Sequence, residues 1–503
     1  MKTSEKLISN SIYLFLQLFS SILFSFIFWL IIGKSFNPSE YGIIATSINF
    51  VILSSGFLML GISTALTKLI PEILIKKGID DVNSLIKLSI KPLIILSIFL
   101  TPILLLFSNQ FSVLLKIPHN IMILNIISLF IYIFFLFFGT IQYSLQKMKN
   151  YSFTDFFQYL FRIIFGVILL FLGFGYFGIL IGFYLSYLLF TFFRLDLNHF
   201  KGNKKLSISY KKLFNYALPA LLISISFYLI MNGQYIILSI LKNTEATGLF
   251  AVAFAPISMI TVLLTVLNSS LIPIISGLSA DHKTKGQQTR LISIILRYAL
   301  FFAFPAAILM LVFSKYIILL LSKPDFLPST SYFPILIPAA IFNGLGLIFQ
   351  TNIYAIGYPK KSRDISIFIA LLFLSLSVPL TYFYSAFGLS FSYLITMIFF
   401  FLISFFNLRK FLKIKFPWGD FKKIVISSLI ISLVLFLLRP FVDSLFLFIS
   451  ASIVIVLFYL LVLLFLKFYR TEDVKILEFL SHNIPFGNRF TFLIDFLKSK
   501  VKK

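Results

Sequence analysis

Two short stretches set the reading of this chain: Lys34-Ser35-Phe36-Asn37-Pro38-Ser39-Glu40-Tyr41-Gly42 and Lys242-Asn243-Thr244-Glu245-Ala246-Thr247-Gly248. Each links two long apolar runs, starts on a lysine and ends on a glycine at the opening of the next run. Outward from them the likeness continues, because Asn10 lies 32 residues before Gly42 and Asn215 lies 33 before Gly248. A cut near Tyr210 therefore divides the chain into two halves that echo one another. Hairpins of apolar runs share some needs wherever they occur, so the repeat rests on the matched spacing as well as on residue type.

The runs are read as membrane spans. Of 503 residues 59% are hydrophobic, 12% are charged and 66 are Phe, whereas a water-facing surface needs roughly 25–35% charged residues. A soluble enzyme is excluded, since so much Phe, Ile and Leu would leave large apolar patches in water. Runs of about 17–25 apolar residues number fourteen, near 11–33, 43–66, 92–108, 120–141, 159–173, 176–194, 215–240, 248–271, 292–313, 332–355, 365–385, 388–408, 424–438 and 445–466. Lys2 and Lys6 precede the first, but its run is too long for a signal peptide and no small-residue cleavage site follows. The expected fold is an all-α integral membrane protein with 14 transmembrane helices. Its expected parts are an amino-terminal six-helix lobe over 1–210, a carboxy-terminal six-helix lobe over 211–410, two further helices over 411–470 and a tail over 471–503. Six spans per half give both lobes one orientation, related by an axis along the membrane normal, with substrate expected between them.

Charge placement orients the spans. Of the 43 Lys and Arg, 37 fall on the side of the amino terminus and six on the other: Lys34, Lys116, Lys242, Lys315, Lys323 and Arg439. Lys and Arg resist translocation, so the division predicts a multi-pass protein of the cell membrane with both termini in the cytoplasm. It also accounts for the net charge of +26 without nucleic acid, because clusters such as Lys201, Lys204, Lys205, Lys211 and Lys212 flank membrane ends and face anionic lipids. In the tail, Phe490, Leu493, Ile494 and Leu497 recur at helical spacing, as expected of an amphipathic helix that lies on the membrane or docks against the loops. The segment from Ser314 to Ser331 is partly apolar and is expected along the membrane surface.

Enzymatic readings find little to stand on. Only Glu40, Glu245, Asp325 and Asp443 lie outside, one per loop, and the adjacent pair Asp80-Asp81 is cytoplasmic, so the paired acidic site of a membrane glycosyltransferase is missing, as is the large outer loop of a polymerase. There is no phosphate-binding loop for ATP, Cys is absent and the four His are scattered, so no cofactor or metal is expected. Polar residues at membrane depth remain, because lipid penalises them unless they face a partner or a wet cavity. Arg162 and Arg297 are placed where a diphosphate would find charge-assisted donors, though either side chain can also snorkel to the interface. Gln17, Asn49, Asn232 and Asn268 have amides that bond sugar hydroxyls or join helices. Asp155 is the acid nearest to a span interior, at the entrance of the fifth. Six prolines in the second half, Pro219, Pro256, Pro305, Pro334, Pro338 and Pro379, are candidate hinges or static kinks.

Three stretches then carry a resemblance: Ser35 to Gly42, Gly139 to Asn150 (GTIQYSLQKMKN) and Pro273 to Ala280 followed by a charged loop and Arg297-Tyr298, with a short echo at Gly357-Tyr358-Pro359-Lys360-Lys361. With the two six-span halves, they make the chain resemble the polysaccharide biosynthesis and oligosaccharide flippase family of the multidrug/oligosaccharidyl-lipid/polysaccharide exporter superfamily. The resemblance implies a V-shaped, two-lobed transporter, not an enzyme, which moves a lipid-linked oligosaccharide on a polyprenyl or dolichyl phosphate or diphosphate to the outer leaflet by alternating access. In related lipid II flippases cations of the first two helices line the cavity; here Gln17 stands in the first, and Lys68 is the expected counterpart at the end of the second. The sodium-site acids of such relatives have no counterpart in spans seven, eleven and twelve, and spans thirteen and fourteen look like those proposed to guide a lipid tail. A multidrug/cation antiporter and a membrane glycosyltransferase or polymerase are the competing readings, disfavoured by the missing membrane carboxylates and the short outer loops.

Since the chain has no cysteine, a single Lys285→Cys variant reports the topology. It is expected to resist an impermeant thiol reagent added to intact cells and to react after permeabilisation; labelling from outside would reverse the assignment of sides.

Overall fold

The computed structural model describes residues 2–200, 210–278, 285–414, 416–438, 445–471, 473–474 and 478, and every regular element among them is helical. The first half comprises α1 (Lys2–Ser35), α2 (Pro38–Leu58), α3 (Ile62–Lys77), α4 (Ile79–Leu106), α5 (Ser108–Leu115), α6 (His119–Ser144), α7 (Met148–Leu169) and α8 (Gly175–Arg194). The second comprises α9 (Tyr210–Leu241), α10 (Thr244–Leu278), α11 (Lys285–Val312), α12 (Ser314–Leu321), α13 (Phe333–Ala355) and α14 (Pro359–Phe411), followed by α15 (Trp418–Leu438) and α16 (Leu445–Phe465). Among the described residues, eleven helical stretches are long and apolar enough to cross a bilayer. Large apolar side chains such as Phe99, Phe171, Phe383, Phe436 and Phe465 stand exposed on the outside of the bundle, while Ser, Thr, Asn and Gln are buried within it. That distribution suits lipid as the surrounding solvent. The tail residues Phe490, Leu493, Ile494 and Leu497 lie outside the described residues.

One predicted span is reshaped. The run at 43–66 is not one helix: α2 stops at Leu58, Leu60 and Gly61 take positive φ of 50° and 68°, and α3 begins at Ile62. Gly61 has a reason to be there beyond its φ, because a Cβ at this position would run into the carbonyl oxygen of Ala217 in α9. Lys68, expected at the end of the second span, is thereby carried onto α3, where it is exposed. The runs at 365–385 and 388–408 remain two helices, since the backbone of α14 turns at Ser385, whose φ is 54° and ψ −139°.

The two halves meet where the linking stretches repeat. Asn37 closes a capping box with Glu40, accepting from its N–H at 2.9 Å while the Asn37 N–H donates to the Glu40 carboxylate at 3.1 Å. Asn243 does the same work for α10, accepting from the Ala246 N–H at 2.8 Å. Such caps satisfy N–H groups that the first turn leaves bare. With both helix starts fixed, α2 and α10 cross in contact: a Cβ on Gly42 would strike the Thr244 carbonyl oxygen, a Cβ on Gly248 would strike the Pro38 carbonyl oxygen, and the Ser39 and Thr244 hydroxyls lie 2.8 Å apart.

Lysines extend this contact to either side. Lys34 Nζ donates to the carbonyls of Leu319 (2.5 Å) and Ser322 (3.1 Å), and Lys323 returns the bond to the Ser35 carbonyl at 2.7 Å. Across the interface, Lys116 Nζ donates to the Lys242 carbonyl and Ser239 to the Leu115 carbonyl. The segment α12 to Tyr332 is thus packed on the end of α1. Along the seam between α2 and α9, Gly56 admits the ring of Tyr228.

The Ser39 and Thr244 geometry makes a Ser39→Cys/Thr244→Cys pair a reporter of this end. The pair is expected to cross-link on oxidation, and adding Gly42→Val should lower the yield, since overpacking costs roughly 1–3 kcal/mol. An unchanged yield would show that Gly42 is not the point of contact.

Candidate functional site

Beneath that crossing, α1, α2, α6, α7, α8, α9 and α10 enclose a cavity of about 500 Å³ between the halves. Its wall is rich in aromatic rings, including Phe26 and Trp29 of α1, Tyr41 of α2, Tyr132 of α6, Tyr159 of α7, Tyr187 of α8, Tyr235 of α9 and Phe254 of α10. Trp29 lies against Tyr41 with ring centroids 5.2 Å apart, and Tyr132 meets Tyr187 edge-on at 4.9 Å. Flat rings with hydroxyl rims can pack against the C–H faces of a sugar while bonding its hydroxyls.

Arg162 is the one charged side chain among the described residues that line the cavity. It sits three residues after Tyr159, so both reach the same face of α7. The guanidinium is only 5% exposed and donates from Nη2 to the Ser25 hydroxyl of α1 at 3.1 Å. It lies over the rings of Phe28, Tyr159 and Phe183 at 4.6, 5.1 and 5.3 Å, while its Nε–H has no hydrogen-bond partner among the described residues. Among those residues no carboxylate comes within ion-pair distance of it. Aromatic faces hold a cation weakly compared with an anion, so the site retains capacity for negative charge.

The other residues singled out in the sequence are dispersed. Asn49 lines the same cavity and donates to the Ala45 carbonyl of its own helix at 2.8 Å. Gln17 bonds Asp155 at 3.1 Å. Asn232 faces back to the Tyr228 carbonyl at 3.5 Å. Asn268 joins α10 to α13, donating to the Thr351 hydroxyl at 2.7 Å and accepting from Asn352 at 2.8 Å. Arg297 is buried elsewhere, near the middle of α11, where it forks onto Asp473 at 2.9 and 2.6 Å and also donates to the Phe468 carbonyl at 2.7 Å. Burial raises the pKa of the Asp473 carboxyl, but the donors from Arg297, Tyr298 and the Arg470 backbone outweigh it and hold the group below the usual range.

Two features escape a reading of the sequence. Asp155, expected at the entrance of the fifth span, is buried in α7 and paired with Arg194 of α8. Arg194 also donates to the Thr154 hydroxyl and the Phe135 carbonyl, both at 3.1 Å, so one arginine staples α6, α7 and α8. As the last residue of its span, it counts among the loop charges when only the sequence is read. The aromatic wall is hidden as well; in a chain with 66 Phe only tyrosine at membrane depth, with a hydroxyl to satisfy, would mark it.

Comparison with known proteins agrees with this geometry. The chain resembles the lipid II flippase MurJ in an inward closed conformation, with a TM-score of 0.71 at 20% identity over 90% of this chain and 98% of that one. It also resembles an inward-facing multidrug resistance MATE family transporter of the MOP superfamily, with a TM-score of 0.62 at 13% identity over 80% and 98%, and the MATE multidrug transporter DinF-BH, at 0.58 and 15% over 81% and 95%. At these identities the likeness is one of fold. No curated protein sequence matches the chain. Residues 31–330 match the family described as polysaccharide biosynthesis protein, a stretch that runs from the first linking hairpin through the cavity to the segment clasped on α1. The chain therefore belongs to the polysaccharide biosynthesis protein family and has the helical transporter fold of the MOP exporter superfamily.

Proposed function

We propose that this protein is a flippase, not an enzyme, that carries a lipid-linked oligosaccharide or polysaccharide precursor from the cytoplasmic to the outer leaflet. The carrying observation is Arg162: a buried cation in the wall of a cavity between the halves, with no carboxylate beside it among the described residues. A lone desolvated charge is costly in lipid unless a mobile anion completes it, and the phosphate or diphosphate of a lipid-linked sugar is such an anion. The aromatic wall and Asn49 then meet the glycan. Gln17, Asn232, Asn268, Arg297 and Lys68 take supporting places in this reading, as parts of helix joints or of the approach.

Alternating access follows from the same layout. The lobes over 1–210 and 211–410 rock about the cavity, and the crossing of α2 and α10 with its lysine clasps closes the outer end while substrate enters from the cytoplasm, where both termini lie. The helices over 411–470 flank the second lobe and the tail over 471–503 stays cytoplasmic. No cofactor enters the reaction, since translocation breaks no covalent bond.

Binding of a phosphate by a partly desolvated guanidinium is worth about 1.5–3 kcal/mol, or roughly ten- to a hundred-fold in affinity. Arg162→Gln is therefore expected to slow flipping of a lipid-linked sugar in reconstituted vesicles by that order, with Arg162→Lys intermediate because it keeps the charge but loses the fork. Wild-type flipping by a normally inserted Arg162→Gln protein would remove the basis of this reading.

A further inference from the structure

Three of the six Lys and Arg assigned to the outer side, Lys34, Lys116 and Lys323, are engaged in one way: each reaches from its own half to backbone carbonyls of the other. Those carbonyls end helices. Lys34 takes Leu319 and Ser322 at the close of α12, Lys323 takes Ser35 at the close of α1, and Lys116 takes Lys242 just past α9. The last turn of a helix leaves carbonyls without helical partners and carries partial negative charge, so a cation is favoured there. A carboxylate would hold the ammoniums more strongly. Among the described residues none of the three lysines is in an ion pair, and the carboxylate of Glu40, in the first linking stretch, accepts from the Asn37 N–H.

Two further contacts set these clasps directly over the cavity. A Cβ on Gly33 would strike the Leu321 carbonyl oxygen, and the Lys323 N–H donates to the Gly33 carbonyl at 3.1 Å, so the end of α12 lies on the end of α1. Leu321 is itself part of the cavity wall. Because every clasp joins the two halves, the outer end cannot part without breaking all of them. Parting leaves the carbonyls to water, which serves neutral acceptors well. The ammoniums gain more from an anion, since a hydrogen bond between two charged groups is stronger than one to a neutral oxygen.

We propose that Lys34, Lys116 and Lys323 form a second phosphate site, present only when the outer end opens, that takes the phosphate of the departing lipid-linked sugar after Arg162; this rests on the transport cycle proposed above. In the closed form helix-end carbonyls hold the ammoniums, and in the open form the phosphate replaces the carbonyls. The phosphate binds the open form alone, so its presence shifts the balance toward opening. Without it the clasps reform and the empty cavity stays shut.

Ser258 of α10 lines the cavity and the chain has no cysteine, so a Ser258→Cys protein reports opening. It is held in phosphatidylcholine vesicles in one orientation, clasps outward, and labelled by an impermeant thiol reagent added outside. Inorganic diphosphate outside should speed labelling saturably by about three- to ten-fold over chloride at equal ionic strength, the scale of a few exposed charge pairs. Adding Lys34→Gln/Lys116→Gln/Lys323→Gln should speed labelling by about ten-fold without any anion, through the lost charge-assisted bonds, and abolish the diphosphate response. Lys34→Arg/Lys323→Arg should keep that response, and Lys315→Gln, at an outer lysine outside the clasps, should change neither. Equal rates in diphosphate and chloride would overturn the site, a test that needs none of the lysine variants. A diphosphate response that survives the triple variant would also overturn it. Full acceleration by phosphatidylglycerol in the vesicle, with no further effect of diphosphate, would give the site to bulk lipid instead of the travelling phosphate. The measurement needs neither a lipid-linked sugar nor flipping, so its failure and that of the Arg162→Gln test are told apart.

Discussion

Everything in this architecture hangs on two glycines that leave room for two carbonyls. Gly42 and Gly248 occupy equivalent places at the starts of α2 and α10, and each presents bare backbone to the other helix: to the oxygen of Thr244 in one case and of Pro38 in the other. In lipid, apolar side chains gain nothing by leaving one another's company for acyl chains, so helices associate through close backbone approach and polar bonds. The reciprocal contact, the paired hydroxyls of Ser39 and Thr244 and the lysine-to-carbonyl clasps supply both. They hold the halves together at one end and leave a wall of aromatic rings and one arginine enclosed beneath.

Three buried arginines show how far tertiary neighbours, rather than residue type, assign a role. Arg194 is engaged by Asp155, Thr154 and the Phe135 carbonyl, and ties three helices of one half. Arg297 is engaged by Asp473 and the Phe468 carbonyl, and ties α11 to the segment after α16. Removing either would strand a buried carboxylate, which is a matter of stability. Arg162 has a serine hydroxyl and aromatic faces instead, and so is the buried arginine that faces the cavity with no carboxylate beside it among the described residues. Gln17 belongs with the first of these groups, because its amide is taken up by Asp155.

The same contrast separates the amides. Asn49 of α2 and Asn268 of α10 are both buried amides, yet one lines the cavity and the other is consumed by Thr351 and Asn352. A polar side chain in lipid must find a partner, and sequence depth alone names the need without naming who meets it.

Composition and periodicity alone determined that this is a helical membrane protein, because lipid leaves few ways to satisfy so many backbone groups beside so much Phe, Leu and Ile. They also pointed to the repeat, since Gly42 and Gly248 stand at nearly matched distances from Asn10 and Asn215, and the family likeness followed from the stretches around them. The break at Leu60–Gly61 and the burial of Asp155 were decided only in three dimensions. Each depends on a partner distant in the chain that hydropathy does not register: the Ala217 carbonyl opposite Gly61 and the guanidinium of Arg194. The candidate site was legible as a list of polar residues at depth, but that Arg162 faces the cavity with no carboxylate beside it among the described residues followed from packing, because pairing is a property of neighbours in space and not of spacing along the chain.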